Sequence, residues 1–192
     1  GVINRQTRNT LLDPYANAFY KDATKVSEWK TDLTEMKPGV HERKWEVDSL
    51  CYTIRLAYGY WKTSGDTAPF DDAWREAIAK IVQTFREQQR KHGHGPYHFQ
   101  RRTEIQSDTL AGRGYGNPAK PVGMIFSMFR PSDDATIFPF LIPSNFFAVV
   151  SLRQAAEMVE QGSHDATLAS ECRALADEVE TALHQHAIIH HA

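Results

Sequence analysis

Apolar residues return at three- and four-residue steps in four stretches of this 192-residue chain, and that spacing commits much of it to amphipathic helices. Leu50, Ile54, Ala57, Tyr58 and Trp61 make the first face, with Gly65 as its stop. Trp74, Ile78, Ile81, Val82 and Phe85 make the second, and Asp71 and Asp72 suit the positive end of that helix. Ala148, Leu152, Ala155, Ala156 and Val159 align in a third, started by Pro143-Ser144-Asn145 and stopped by Gly162. Leu168, Cys172, Leu175, Val179 and Leu183 form the fourth, with Ser163 or Asp165 as cap. A fifth, weaker helix is expected over residues 2–11, before Asp13-Pro14.

The stretches between these helices are of two kinds. Helices three and four are joined closely and read as a helical hairpin, whereas residues 13–44 and 91–142 are long and irregular. Loops of that length are uncommon unless they do something. Within the second, Tyr97-His98-Phe99-Gln100-Arg101 alternates as a short strand would. Helix pairs joined alternately by short and long connections predict an all-α fold, an α/α toroid or a helical bundle, with the long loops forming a cleft on one face. The length suffices for a single domain with a real core.

Composition removes several function classes. A formal net charge of −2 gives no electrostatic reason to expect nucleic acid or an anionic membrane as partner. No apolar run approaches the roughly 18 residues of a membrane span. Cys51 and Cys172 fall in helical patterns, where buried thiols are the simpler expectation, with a disulfide as the alternative. Two cysteines leave the redox compartment, and hence the localisation, undetermined.

The chemistry-bearing candidate lies in a loop. Arg130-Pro131-Ser132-Asp133-Asp134 sits between stretches containing Phe126, Phe129, Phe138 and Phe140, with prolines at 131, 139 and 143 that discourage continuous helix or central strand. Two acids in apolar company are costly to ionise unless paired or used. One reading makes this pair a general acid tuned by apolar walls and by Arg130, beside aromatic rings of the sort that pack on sugar C–H faces. The other makes Ser132-Asp133-Asp134 a turn or cap.

Around it, His41-Glu42-Arg43-Lys44-Trp45-Glu46-Val47-Asp48 leads into the first long helix. Its acids either match the helix dipole or present hydrogen-bonding groups to a polyol, with Trp45 as platform. The reading as a solvated helix start suits Lys44 and Glu46 better. Asp13-Pro14-Tyr15-Ala16-Asn17 is a turn whose Tyr15 and Asn17 could equally serve a ligand. Neither His92 and His94 nor the terminal cluster His184, His186, His190 and His191 has a zinc-like spacing, so no metal or other cofactor is expected. Gly112-Arg113-Gly114-Tyr115-Gly116 has no P-loop continuation and reads as a flexible cleft loop.

Taken in order, Glu42-Arg43-Lys44-Trp45-Glu46-Val47-Asp48-Ser49-Leu50-Cys51-Tyr52, Tyr60-Trp61-Lys62, Phe129-Arg130-Pro131-Ser132-Asp133-Asp134-Ala135 and Leu141-Ile142-Pro143-Ser144-Asn145 resemble glycoside hydrolase family 125. Ile3-Asn4-Arg5-Gln6 and Asp13-Pro14-Tyr15-Ala16-Asn17-Ala18-Phe19 are similar to the same family, so the resemblance covers nearly the whole chain. It implies an (α/α)6 barrel and a metal-independent, exo-acting α-1,6-mannosidase that releases terminal mannose from a mannose-containing oligosaccharide with inversion. It also implies Asp133 as general acid, with Asp134 as the neighbouring possibility. Glu42, Arg43, Asp48 and Arg130 fall around the bound sugar by the same resemblance, and Tyr15, Asn17 and Asp134 are taken with them as candidate substrate-binding residues.

The family's Trp-Leu-Arg-Asp-Ser segment, and the Met-His-Glu-Gly-Phe region that carries its general base, have no counterpart in these 192 residues. Residues 1–192 are therefore expected to be one unit cut from a larger barrel: inactive alone, carrying the acid without the base, and prone to associate through exposed barrel edges. A non-catalytic carbohydrate-binding or scaffold protein is the alternative.

Overall fold

The computed structural model describes residues 1–189 and is mainly helical. In chain order it comprises α1 (Val2–Leu12), β1 (Ala18–Phe19), β2 (Val40–Glu42), α2 (Val47–Ser64), α3 (Asp72–Gln88), a 3₁₀ turn at Gln106–Asp108, the one-turn α4 (Ala111–Gly114), α5 (Ile142–Met158) and α6 (Ala166–His186). Each of the five periodic stretches is a helix, and the ends have local causes. Asp71 accepts a hydrogen bond from the Trp74 amide at 2.8 Å and starts α3. Gly65, at φ 69°, ends α2 and donates its amide to the Trp61 carbonyl at 2.8 Å. Of the two caps weighed for α6, Asp165 is used, accepting from the Leu168 amide at 3.0 Å.

Three local expectations are corrected. Gly162 does not stop a regular helix: α5 gives way after Met158 to a π-helical turn, Val159–Ser163, and His164 turns the chain in a left-handed conformation. Residues 97–101 do not form a strand, since only a single bridge joins Gln100 to Leu33. Instead, β1 and β2 pair antiparallel inside the first irregular stretch. Alternation marked the wrong segment because Tyr97 and Phe99 are both buried, so the pattern of Tyr97 to Arg101 reports packing rather than a sheet ladder.

α2 packs on α5 and α5 on α6, while α3 packs on α1 and more lightly on α6. Trp45, Trp74, Phe85, Tyr97, Phe99, Phe126 and Phe129 fill the interior between the helices and the long loops. Cys51 on α2 and Cys172 on α6 are buried free thiols, and burial pushes the Cys172 thiol up to about 12. His184 and His186 lie in the last turn of α6; His190 and His191 lie outside the described residues. Among the described residues no helix is long and apolar enough to cross a membrane. Tyr52, Leu56 and Tyr60 on α2 and Phe146 and Val150 on α5 remain exposed, so α2 and α5 carry uncovered apolar surface.

Candidate active site

Two loop segments meet because the backbone of one is tied to the backbone of the other. The Phe129 amide donates to the Trp45 carbonyl at 2.9 Å, and the Trp45 indole donates to the Phe126 carbonyl at 2.7 Å. The Val47 amide donates to Ser127 Oγ at 3.2 Å. Behind them, Asn145 at the start of α5 clamps Ile125, accepting from its amide at 2.8 Å and donating to its carbonyl at 2.9 Å. These bonds bring residues 42–48 beside residues 126–134, although more than 80 positions separate Trp45 from Phe126 in sequence.

At the end of that tie the chain reverses tightly. Phe129 and Ala135 form a bridge, the Arg130 amide donates to the Asp134 carbonyl, and the Asp133 amide donates to the Arg130 carbonyl, the last two both at 2.8 Å. Asp133 sits at the tip with φ 64°, a left-handed conformation that aspartate tolerates better than most residues. Its side chain is exposed, and Oδ1 accepts from Asn17 Nδ2 at 2.9 Å. The same Asn17 nitrogen reaches Glu42 Oε2 at 3.3 Å, while Asn17 Oδ1 accepts the Lys44 amide at 3.1 Å.

The expected apolar walls around the two aspartates are not there. Phe126 and Phe129 point into the core and Phe138 is 82% exposed, so neither acid is enclosed. Asp134 accepts from Ser132 Oγ at 2.8 Å and pairs with Arg130 at 3.0 Å, and the hydroxyls of Ser132 and Ser107 hold its carboxyl below its usual range. The turn reading thus describes Asp134 well, whereas Asp133 presents its carboxyl outward.

Burial acts on different acids. Glu46 is 7% exposed, and burial, reinforced by the charges of Asp48, Asp133 and Glu42 and opposed by a hydrogen bond from Ser49 Oγ at 2.8 Å, pushes its carboxyl up to about 8. Asp48, in the first turn of α2, is raised by burial, and its Oδ1 has no hydrogen-bond partner among the described residues. The dipole explanation favoured for Glu46 misses this, because helix-end position says nothing about the segment that ties onto Trp45 and Val47 on either side of it.

The other predicted residues divide. Glu42 joins the cluster. Arg130 stands on its rim, half-exposed. Tyr15 and Arg43 are turned inward: the Tyr15 hydroxyl donates to Glu87 at 2.7 Å, and Arg43 Nε donates to Asp13 at 2.7 Å. Their rings and guanidinium pack with Tyr97, which donates to the Arg43 carbonyl at 2.9 Å, so both support the floor of the site from beneath.

Two cations stand in the site: Lys44, which fits a solvated helix start, and Arg101, which belongs to the segment that reads as a strand. Lys44 donates to Asp108 at 2.6 Å and to the Asp133 carbonyl at 2.9 Å. Arg101 donates to Asp32 at 2.7 Å and to Glu42 at 2.9 Å, and pairs with Asp108 at 3.2 Å. The burial of Arg101 opposes its charge, but these three carboxylates outweigh it and hold the guanidinium firmly protonated. Asp32 and Glu42 come from the first irregular stretch, 69 and 59 positions away, so only Asp108, in the same loop as Arg101, lies near it in sequence. Beyond Asp134, Leu110, Asn117, Arg130, Ile137, Phe140 and their neighbours line a wider, mostly apolar cavity of about 940 Å³.

Comparison with known proteins bears directly on this cluster. Residues 1–192 match the model of a family described as metal-independent alpha-mannosidase, GH125. The chain is 32% identical to the meiotically up-regulated gene 157 protein of Schizosaccharomyces pombe, covering all of this chain and 40% of that protein. It superposes with a TM-score of 0.93 and 36% identity on a Streptococcus pneumoniae metal-independent α-mannosidase solved in a non-productive complex with α-1,6-mannobiose, covering 99% of this chain and 45% of that one. The chain thus spans less than half the length of these relatives. The match runs through every segment that builds the Asn17–Glu42–Lys44–Asp133 cluster, and the chain belongs to glycoside hydrolase family 125.

Proposed function

We propose that this chain is the acid-bearing part of a metal-independent, exo-acting α-mannosidase that cleaves α-1,6-linked terminal mannose with inversion, and that its helices are part of an (α/α)6 barrel. One observation carries the reading. In a chain of this family, Asp133 is an exposed carboxyl on a tightly closed turn, aimed by Asn17, with Glu42 on the same Asn17 side chain and Glu46 close by.

In this reading, protonated Asp133 gives its proton to the glycosidic oxygen as the C–O bond breaks. The neighbouring carboxylates meet positive charge that develops on the oxocarbenium-like sugar. Arg130, half-exposed on the rim, reaches the bound sugar. An inverting enzyme also needs a base roughly 6.5–9.5 Å from the acid, acting on water at the opposite face of the sugar. That base is supplied by the remainder of a longer protein, whose helices also cover the exposed faces of α2 and α5. Residues 1–192 alone are inactive.

The test is Asp133→Asn in the longer protein, with α-1,6-mannobiose as substrate. Turnover is lost while binding measured by calorimetry persists, and NMR of the wild-type product shows the inverted anomer first. Unchanged turnover in Asp133→Asn, with loss in Asp134→Asn, moves the acid by one residue. Binding without turnover in the wild type replaces the enzyme with a carbohydrate-binding protein.

A further inference from the structure

An exposed acid at the tip of a left-handed turn needs something to keep it there. The Lys44 ammonium is nearly buried, its side chain 4% exposed, and lies 5.3 Å from the centre of the Phe129 ring. A lysine so enclosed is costly unless its donors are all used. Here they face the Asp133 carbonyl at 2.9 Å, Asp108 Oδ1 at 2.6 Å and Glu42 Oε1 at 3.6 Å. The backbone of the same residue also acts on Asp133, because the Lys44 amide fixes Asn17 at 3.1 Å and Asn17 in turn holds Asp133 Oδ1 at 2.9 Å. Lys44 therefore grips Asp133 twice: its backbone carbonyl directly, its carboxyl through Asn17. Asp108 is itself braced by Arg101, which also braces Glu42, so the ammonium hangs from a fixed frame.

Resting on the reading of Asp133 as general acid, we propose that Lys44 is a positioning residue that locks the left-handed backbone of Asp133 and so aims its proton at the leaving-group oxygen. A surface ion pair would not do this. The decisive contact is to the carbonyl of the strained residue itself, and a small rotation of that peptide swings the carboxyl away. Misplacement by about an ångström costs on the order of 10²-fold in rate.

The experiment compares Lys44→Met with wild type in the longer protein on two substrates. α-1,6-Mannobiose needs its leaving group protonated; α-mannosyl fluoride does not. The expected result is a loss of about 10²-fold in kcat on the disaccharide, with KM within a few-fold, and a loss below about threefold on the fluoride. Equal losses on both substrates, or none on either, overturn the proposal. Hydrogen exchange gives a readout independent of turnover. The amides of Asp133 and Ala135 exchange at least about tenfold faster in Lys44→Met while α2 stays protected, and unchanged or globally raised exchange overturns the proposal. If the wild type hydrolyses neither substrate, the mannosidase reading fails and exchange alone decides for Lys44. If Lys44→Met does not fold, Asp108→Asn, which loosens the ammonium's anchor, is expected to show the same substrate split at about tenfold; no split overturns the proposal.

Discussion

Asn17 donates to Asp133 at 2.9 Å across 116 positions of sequence, so the first irregular stretch of the chain aims the acid carried by the long loop before α5. The same side chain accepts the Lys44 amide, which makes it a joint between three segments. Asn17→Asp puts a like charge against Asp133 and Glu42 and removes both donated hydrogen bonds. We expect a loss of roughly 1–3 kcal/mol in stability by denaturant titration and a larger loss of activity in the longer protein than Asn17→Ser causes. Equal behaviour of the two variants would argue against a charge-sensitive site.

Arg101 holds three carboxylates, of which Asp32 is almost fully enclosed. Arg101→Met leaves them uncompensated and should cost about 3–5 kcal/mol, read as a fall of roughly 6–20 °C in the thermal midpoint. Arg101→Lys should recover only part, because one ammonium cannot reproduce the forked contact to Asp32 and Glu42 together. Full recovery with lysine would show that charge alone matters there.

Glu46 makes stability fall with rising pH. Its folded pKa of about 8 stands above the ordinary 4.5, so the folded state keeps a proton that the unfolded chain has released. The favourable contribution is complete below about 4.5, declines between 4.5 and about 8, and is level above that. In full the difference is on the order of 3–5 kcal/mol. Glu46→Gln, neutral at every pH, should flatten the slope of the thermal midpoint between pH 5 and pH 8; an unaltered slope would place its origin elsewhere.

Residues 1–192 produced alone should associate in a concentration-dependent way, because Tyr52, Leu56, Phe146 and Val150 leave apolar surface on α2 and α5 uncovered. Leu56→Glu with Val150→Glu should shift sedimentation toward monomer. A sharp, concentration-independent unfolding of a wild-type monomer would contradict this expectation.

The helices were legible from the sequence because their causes are local. Leu50 to Trp61 repeat within a few turns, Asp71 caps three residues ahead, and Gly65 turns left-handed where α2 ends. The Asp133 loop was legible as a place, through its prolines and acids, and through its resemblance to one family. Its electrostatics were not. The greasy neighbours that suggested a buried acid pair point away, and burial falls on Glu46 and Asp48 instead. Lys44 and Arg101 carry little local mark, since Lys44 meets Asp108 and Asp133, and Arg101 meets Asp32 and Glu42, only where packing brings distant segments together. What the sequence determined by itself was the set of helices, the family and the acids available. Tertiary structure alone decided which acid is exposed, which is buried and which cation holds the turn, because those properties belong to distances between segments and not to spacing along one.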